Sequence, residues 1–240
     1  MKLRRIIIPF ENQMTRTQSL LGWVYLLLHV AVLPWMLGLL GRYSPDPIPE
    51  PTLNLVYYAI GVAFCLTVTH GFLRRGFDRL VDNFRLCLLT IAVALMIDYA
   101  LSGVAALLLL LVDGLVENPN NAAVMEMAGT DSGAVKAIAI FLAPIVEEVL
   151  FRGAVFGSIR TRSRRWAYVV SVLAFSLYHV WQYAAASGDL RMLLYAVQYF
   201  PVSIVLAWAY ERSGCIWTSV FFHMGFNAMS FYVLSFAESL

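Results

Sequence analysis

The amino-acid sequence predicts an all-α protein: a polytopic membrane helix bundle of about seven transmembrane helices with a cytosolic N-terminus. The 240 residues are 60% hydrophobic and only 13% charged, whereas soluble domains contain about 45–50% apolar and about 25% charged residues. A helix needs about 20 apolar residues to cross the hydrocarbon core of a bilayer. Seven stretches meet or nearly meet that length: 20–41, 54–73, 86–112, 134–159, 166–184, 192–210 and 214–236.

The basic residues predict the orientation of these spans. With the N-terminus in the cytosol, thirteen Lys and Arg residues fall on the cytosolic side, and only Arg42, Lys136 and Arg191 fall on the other. This bias follows the positive-inside rule. The run RTRSRR at 160–165 is interpreted as a topology determinant beside anionic lipid headgroups. The net charge of +2 is too small to indicate nucleic-acid binding, so the lipid bilayer is the expected surroundings.

Three segments are predicted along the chain. Residues 1–19 are basic, but Pro9 interrupts their short apolar run, so they are interpreted as a cytosolic or interfacial lead-in rather than a cleavable signal. Residues 20–133 hold three transmembrane helices and a turn-rich outer loop at 113–133. Residues 134–240 hold four helices, which are predicted to form the functional core.

A few polar residues remain inside the predicted spans, where a charged side chain costs about 2.5–3.5 kcal/mol at the bilayer centre. They are Asp98, Glu147, Glu148, Arg152, His179, His223 and Asn227. His29 and His70 stand alone in apolar surroundings and are interpreted as hydrogen-bonded structural histidines. Asp98 is interpreted as the partner of a polar group on a neighbouring helix and is left out of the site.

Helical spacing relates these polar residues to one another. Glu148 and Arg152 are four residues apart and share a helix face, so they can form an ion pair. His223 and Asn227 have the same spacing, whereas Glu147 points about 100° away from Glu148. Two pairs and one separate carboxylate are therefore expected.

Depth in the membrane tests whether these residues can meet. If the fourth helix runs to Ile159, Glu147, His179 and Asn227 all lie roughly 20 Å from the cytosolic ends of their helices, and His223 roughly 14 Å. A helix that ended near Arg152 would leave Glu147 only about 7 Å deep. The common depth favours the longer helix.

Pro144 and the combination of a carboxylate, two imidazoles and an amide indicate a catalytic site. Pro144 removes a backbone donor one turn before the glutamates and is expected to free the carbonyl of Ile140. A carboxylate and an imidazole can share a water molecule and take its proton. A second imidazole and an amide can donate hydrogen bonds to a developing oxyanion. These are the parts of a peptide-bond hydrolase that uses no covalent nucleophile.

Three short motifs carry a resemblance to a known family. EEVLFR at 147–152 matches EExxxR, FSLYH at 175–179 matches FxxxH, and HMGFN at 223–227 matches HxxxN. In this order and on successive predicted helices, the chain resembles the CPBP intramembrane proteases, which include the CAAX prenyl endopeptidases and the bacterial Abi proteins. The resemblance covers about residues 134–236.

The resemblance implies an all-helical, multi-pass glutamic protease of a cell membrane, which acts on a membrane-associated protein or peptide without a metal or other cofactor. The compact size of the chain favours a protein of the bacterial inner membrane. Glu147 and His179 would activate the water. His223 and Asn227 would hold the oxyanion. The supporting residues would be Glu148, Arg152 and Phe175, the first residue of the FxxxH motif.

Two alternatives remain open. Glu147, His179 and His223 are an acceptable ligand set for a catalytic zinc ion, although the chain has no HExxH motif. Intramembrane Glu, Arg and His residues also line transport paths, so a non-catalytic immunity or transport protein is the second alternative. Cys65, Cys87 and Cys215 are far apart and are interpreted as buried small residues rather than metal ligands.

Overall fold

The computed structural model describes residues 10–113 and 118–237, and every regular element in these two ranges is helical. The all-α fold class is therefore confirmed for the described part of the chain. Its helices are α1 (Arg16–Tyr43), α2 (Glu50–Val68), α3 (His70–Asp82), α4 (Phe84–Asp113), α5 (Pro119–Lys136), α6 (residues 137–160), α7 (Arg164–Tyr178), α8 (Trp181–Ser187), α9 (Phe200–Ser213) and α10 (Ile216–Ala237), with a 3-10 segment at Leu190–Tyr199 before α9.

Several of these helices are long and apolar enough to cross a membrane. Within the described ranges they are Arg16–Tyr43, Glu50–Val68, Phe84–Leu111 and Leu190–Ser213. A fifth span results if α7 and α8 count as one helix bent by 46°. Helix α6 carries Glu147, Glu148 and Arg152, and α10 carries His223 and Asn227, and these polar residues lower the hydropathy of both helices. A membrane helix bundle is confirmed, whereas the count of seven spans and the orientation stay predictions.

The structure breaks one predicted span and replaces part of a predicted loop with a helix. The predicted fifth span at 166–184 is broken after Tyr178, where Val180 leaves the helical conformation. The outer loop predicted at 113–133 is wrong from Pro119 onward, because α5 begins there; residues 114–117 lie outside the described part. The Asn118 side chain accepts hydrogen bonds from the first backbone N–H groups of α5, and a proline at the first helical position needs no such bond.

Of the predicted lead-in at 1–19, residues 1–9 lie outside the described part. Helix α1 begins within that segment, at Arg16, and is capped by Thr15, whose side chain accepts from the backbone of Gln18. The Gln18 side chain in turn accepts from the N–H of Thr15, which completes a capping box. The first span therefore starts a few residues earlier than the apolar pattern predicts.

Proline changes the hydrogen bonding within α1. The N–H of Leu33 donates to the carbonyl of Leu28, five residues back, so the helix is locally widened to π geometry. The next residue is Pro34, which has no N–H, and the carbonyl of His29 therefore loses its partner within the helix. The hydroxyl of Tyr57 on α2 donates to this carbonyl at 2.9 Å and ties the two helices together.

Helix α6 lies at the centre of the bundle and packs closely on α1. A Cβ atom placed on Gly22 of α1 would lie 2.6 Å from the Cβ of Ala154 on α6. Small residues allow two membrane helices to approach in this way. Close packing of α1 fixes the position of α6, which carries both glutamates.

Gly22→Ala is expected to destabilise the protein by about 1–3 kcal/mol, because the added methyl group must push the two helices apart. Thermal unfolding in detergent measures the effect. Gly103→Ala on α4 is the matched control, since nothing lies within 4 Å of a Cβ placed there. Equal unfolding temperatures for the two variants would contradict the proposed packing.

Candidate functional site

A cavity of about 560 Å³ lies between α2, α5, α6, α10 and the break that follows α7. Glu147, His179 and Asn227 line it, together with Tyr58 and Tyr178. Three of the four residues predicted to act on the substrate therefore share one cavity. Its volume is within the range of about 300–1,000 Å³ that is usual for ligand sites.

The carboxylate of Glu147 is the point where the site residues converge. Its side chain is 3% exposed, and its Oε1 accepts a hydrogen bond of 3.0 Å from the hydroxyl of Tyr58. Its Oε2 lies 3.9 Å from Nε2 of His179 and 3.8 Å from Nε2 of His223. These separations are too long for direct hydrogen bonds and are the kind that a bridging water fills.

His179 lies at the C-terminal cap of α7, beside the break in that helix. Its Nδ1 is 2.9 Å from the carbonyl oxygen of Phe175. A carbonyl can only accept, so Nδ1 carries the proton, and Nε2 is left with a lone pair on the side of Glu147. The ring of Tyr199 stacks on the imidazole at 4.4 Å and holds its orientation.

Glu148 and Arg152 form the predicted ion pair. Nη1 of Arg152 lies 3.1 Å from Oε1 of Glu148, and both side chains are 0% exposed. The guanidinium also donates to the carbonyl and hydroxyl of Ser203, at 3.1 and 3.0 Å, and packs over the ring of Phe175 at 4.2 Å. The hydroxyl of Ser219 lies 2.5 Å from Oε2 of Glu148. Because both charges are paired and hydrogen-bonded, the bundle can hold them away from water.

His223 lies between the two glutamates. Its Nδ1 is 3.0 Å from Oε1 of Glu148, and its Nε2 is on the side of Glu147. The carboxylate of Glu148 favours a proton on Nδ1, so Nε2 can donate only when the ring carries a second proton. Asn227 lines the cavity, whereas His223 lies behind its wall with a side chain that is 3% exposed.

Asn227 reaches α6 through a second proline-dependent contact. The N–H of Ala143 donates to the carbonyl of Ile138, five residues back, and Pro144 follows without an N–H. The carbonyl of Ala139 therefore has no partner within the π-helical turn. Nδ2 of Asn227 donates to it at 2.8 Å.

α-Helical hydrogen bonding predicts that Pro144 frees the carbonyl of Ile140. The widened turn moves the effect by one residue, to Ala139. This contact uses one N–H of the Asn227 amide and leaves the other for a ligand in the cavity.

Sequence reasoning missed a chain of hydroxyl groups behind Glu147. The hydroxyl of Tyr58 lies 3.2 Å from that of Tyr178, which lies 3.2 Å from that of Tyr57 and 3.5 Å from Nε2 of His29. His29, which the sequence predicts to be a hydrogen-bonded structural histidine, lies at the far end of this chain from Glu147. No motif marks these tyrosines. Their only signal is that Tyr178 precedes His179 and so lies near the site.

The remaining polar candidates lie apart from the cavity. Asp98 is fully buried on α4 and does not line the cavity. Cys65, Cys87 and Cys215 are buried free thiols. Among the described residues, no group of three or more His, Cys, Asp or Glu side chains is arranged so that it could hold a metal ion.

The three motifs of the site lie in a segment that matches a known protein family. Residues 132–229 match the family model of the type II CAAX prenyl endopeptidase Rce1-like proteins. Residues 132–229 thus form an Rce1-like domain. The domain contains all three motifs, from EExxxR at 147–152 to HxxxN at 223–227. The predicted family is therefore confirmed for this part of the chain.

The chain also resembles a curated bacterial protein. It is 30% identical over 91 residues to the UPF0177 protein YbdI of Lactococcus lactis subsp. lactis (strain IL1403). This match covers 38% of the present chain and 43% of the relative, so the chain spans less than half of that protein's length. No solved structure matches the chain.

Proposed function

We propose that the chain is an intramembrane endopeptidase that hydrolyses a peptide bond in a membrane-associated protein or peptide. We further propose that it is a multi-pass protein of a bacterial inner membrane. One observation carries the proposal: Oε2 of Glu147 lies 3.9 Å from Nε2 of His179 and 3.8 Å from Nε2 of His223, and Glu147 and His179 line the cavity. The Rce1-like domain supports it, because that family is described as endopeptidases.

In this mechanism, Glu147 and His179 bind one water molecule between them and remove a proton from it. The water oxygen then forms a bond to the carbonyl carbon of the scissile peptide, and the carbonyl π electrons move to its oxygen. The remaining N–H of Asn227 and the protonated ring of His223 donate to that oxyanion. When the oxyanion collapses, the C–N bond breaks and the stored proton passes to the leaving nitrogen.

The supporting residues hold these groups in place. Glu148 accepts from Nδ1 of His223 at 3.0 Å and orients its ring. Arg152 balances the charge of Glu148, and Phe175 holds Arg152 through its ring and His179 through its carbonyl. Glu148, Arg152 and Phe175 are positioning residues, which act through the groups that touch the substrate.

Strong chelation is expected to leave the cleavage rate unchanged, because Glu147 and His179 activate the water without a metal ion. The measurement is cleavage by the purified protein before and after dialysis against excess chelator, with metal content determined in parallel. A loss of activity that zinc restores would favour the zinc alternative with Glu147, His179 and His223 as ligands.

The substrate can be found by comparing membrane proteomes. Cells that produce the wild-type protein are expected to contain a new C-terminus on at least one membrane-associated protein. Cells that produce equal amounts of Glu147→Gln are expected to lack it. Identical sets of C-termini in the two membranes would favour the non-catalytic immunity or transport alternative.

Tyr58→Phe is expected to lower the cleavage rate by about 10- to 100-fold. The variant removes the donor to Oε1 of Glu147, and a hydrogen bond to a charged group contributes about 1.5–3 kcal/mol. Steady-state kinetics on an identified substrate measure the loss. Tyr232→Phe, at an exposed position on α10, is the matched control. Equal rates for the two variants would show that the contact does not position Glu147.

A further inference from the structure

The two ends of the helix bundle differ in chemistry. One end, here named the arginine face, is formed by residues 10–18, 68–85, 156–165 and 210–217. Ten described arginines belong to it: Arg16, Arg74, Arg75, Arg79, Arg85, Arg160, Arg162, Arg164, Arg165 and Arg212.

Contacts show that these four segments meet at one end. The guanidinium of Arg75 donates to the carbonyl of Gln13 at 2.6 and 3.0 Å, which joins the first segment to the second. The indole of Trp217 donates to the carbonyl of Leu73 at 2.9 Å, which joins the second to the fourth.

The third segment is joined to the fourth by an ion-pair cluster. Glu211 lies 2.5 Å from Nε of Arg160 and 2.8 Å from Nη2 of Arg164, and it also accepts from Tyr168 at 2.8 Å. The arginine face is therefore one continuous surface.

The opposite end, here named the amide face, is formed by residues 42–54, 118–136, 182–199 and 230–237. The side-chain amides of Asn118 and Gln198 are hydrogen-bonded, and the hydroxyl of Tyr199 donates to Asn118 at 3.2 Å. Tyr183 donates to Asn120 at 3.4 Å. Only three basic residues belong to this face within the described ranges, and they are Arg42, Lys136 and Arg191.

The cavity opens toward the amide face. Its outer lining includes Glu50, Asn54, Asn118, Gln182 and Gln198, and no residue of the arginine face lines it. Glu147 lies at its inner end, 13 residues before Arg160 on the same helix, which is roughly 20 Å from the arginine face.

The amide face and the cavity differ from the arginine face in the predominant sign of their charged side chains. The described part of the amide face carries five carboxylates, on Asp46, Glu50, Glu126, Asp131 and Asp189. The cavity lining includes Glu50 and Glu147, and among the described residues it includes no Lys or Arg. An acidic segment that entered would meet like charge without a partner. Side-chain amides, in contrast, both donate to and accept from a peptide backbone.

We propose that the site is entered from the extracytoplasmic side of the membrane, and that it takes a neutral or cationic peptide segment presented there. The arginine face lies in the cytosol by the positive-inside rule, so the amide face and the cavity mouth lie on the other side. The identity of the ligand as a peptide substrate rests on the proposed function, whereas the side of entry does not.

Thiol labelling tests the side of entry without any need for activity. The native thiols of Cys65, Cys87 and Cys215 are at most 1% exposed and give a low background. Ser44→Cys and Ser187→Cys add a thiol at the amide face, after α1 and at the end of α8. Asp82→Cys and Thr161→Cys add one at the arginine face, at exposed positions.

In intact bacterial cells, a membrane-impermeant maleimide is expected to label the two amide-face variants at once and the two arginine-face variants only after permeabilisation. The reverse pattern would overturn the proposed side of entry. Labelling of the four full-length proteins in detergent shows that each thiol reacts when the membrane is absent.

A peptide library tests the charge preference. The detergent-solubilised protein is mixed with proteome-derived peptides, with Glu147→Gln as the blank, and the cut sites are read by mass spectrometry. Acidic residues are expected to be depleted several-fold around the cut, and Glu50→Gln is expected to reduce this depletion. Acidic residues as frequent as in the library would overturn the preference. No cleavage at all would count against the proposed function, while the labelling result would still decide the side of entry.

Discussion

Replacing Glu147 with glutamine is expected to abolish measurable cleavage and to leave the protein folded in the membrane. The amide keeps the oxygen that accepts from Tyr58 at 3.0 Å, so the packing of α6 is preserved. It cannot take a proton from water, and a positioned general base contributes about 10²–10⁴-fold to the rate. The loss is measured on an identified substrate, with yield and unfolding temperature compared in detergent.

The matched control for this variant is Glu126→Gln, an identical chemical change at an exposed position on α5. It is expected to retain wild-type activity. If Glu147→Gln still cleaved at a comparable rate, Glu147 would not be the base, and the proposed mechanism would be wrong even if the chain proved to be a protease.

Arg152→Met is expected to destabilise the protein by about 3–5 kcal/mol, because it leaves the buried charge of Glu148 without its cation. Both side chains of this pair are 0% exposed, so water cannot replace the lost partner. The variant is expected to give little folded protein, and the yield of monodisperse protein and its unfolding temperature are the measurements.

A second substitution separates the ion pair from the other contacts of Arg152. Combining Arg152→Met with Glu148→Gln removes both charges, and a neutral amide can still accept from His223. The double variant is expected to recover most of the lost stability, since the two residues are in direct contact and their effects are not additive. A double variant as unstable as Arg152→Met would mean that the bonds to Ser203, rather than the charge of Glu148, account for the loss.

The spacing of residues along single helices allowed part of this site to be predicted from the sequence. Glu148 and Arg152 are one helical turn apart, so their ion pair depends only on helix geometry. The rise per residue also brought Glu147, His179 and His223 to a similar depth. Their side chains converge within 4 Å in the structure, although the roles assigned to them stay predictions.

Contacts between residues far apart in the sequence could not be predicted in this way. Tyr58 is 89 positions before Glu147, and Ser219 is 71 positions after Glu148. No pattern in one sequence relates them, because their proximity depends on how whole helices pack. The start of α5 was different: Asn118 followed by Pro119 is a helix-start signal, and the turn-rich composition of the segment outweighed it.

The side chain of Asn227 has both a structural role, through its hydrogen bond to Ala139, and a proposed catalytic role. A carbonyl left without a donor in this interior costs about 1–3 kcal/mol. Truncation of Asn227 therefore removes the hydrogen bond to Ala139 on α6 and also the proposed donor to the oxyanion. The kinetic defect of such a variant therefore combines two effects, the lost hydrogen bond to the oxyanion and any change in the position of α6, and it is not the amide's contribution to catalysis alone.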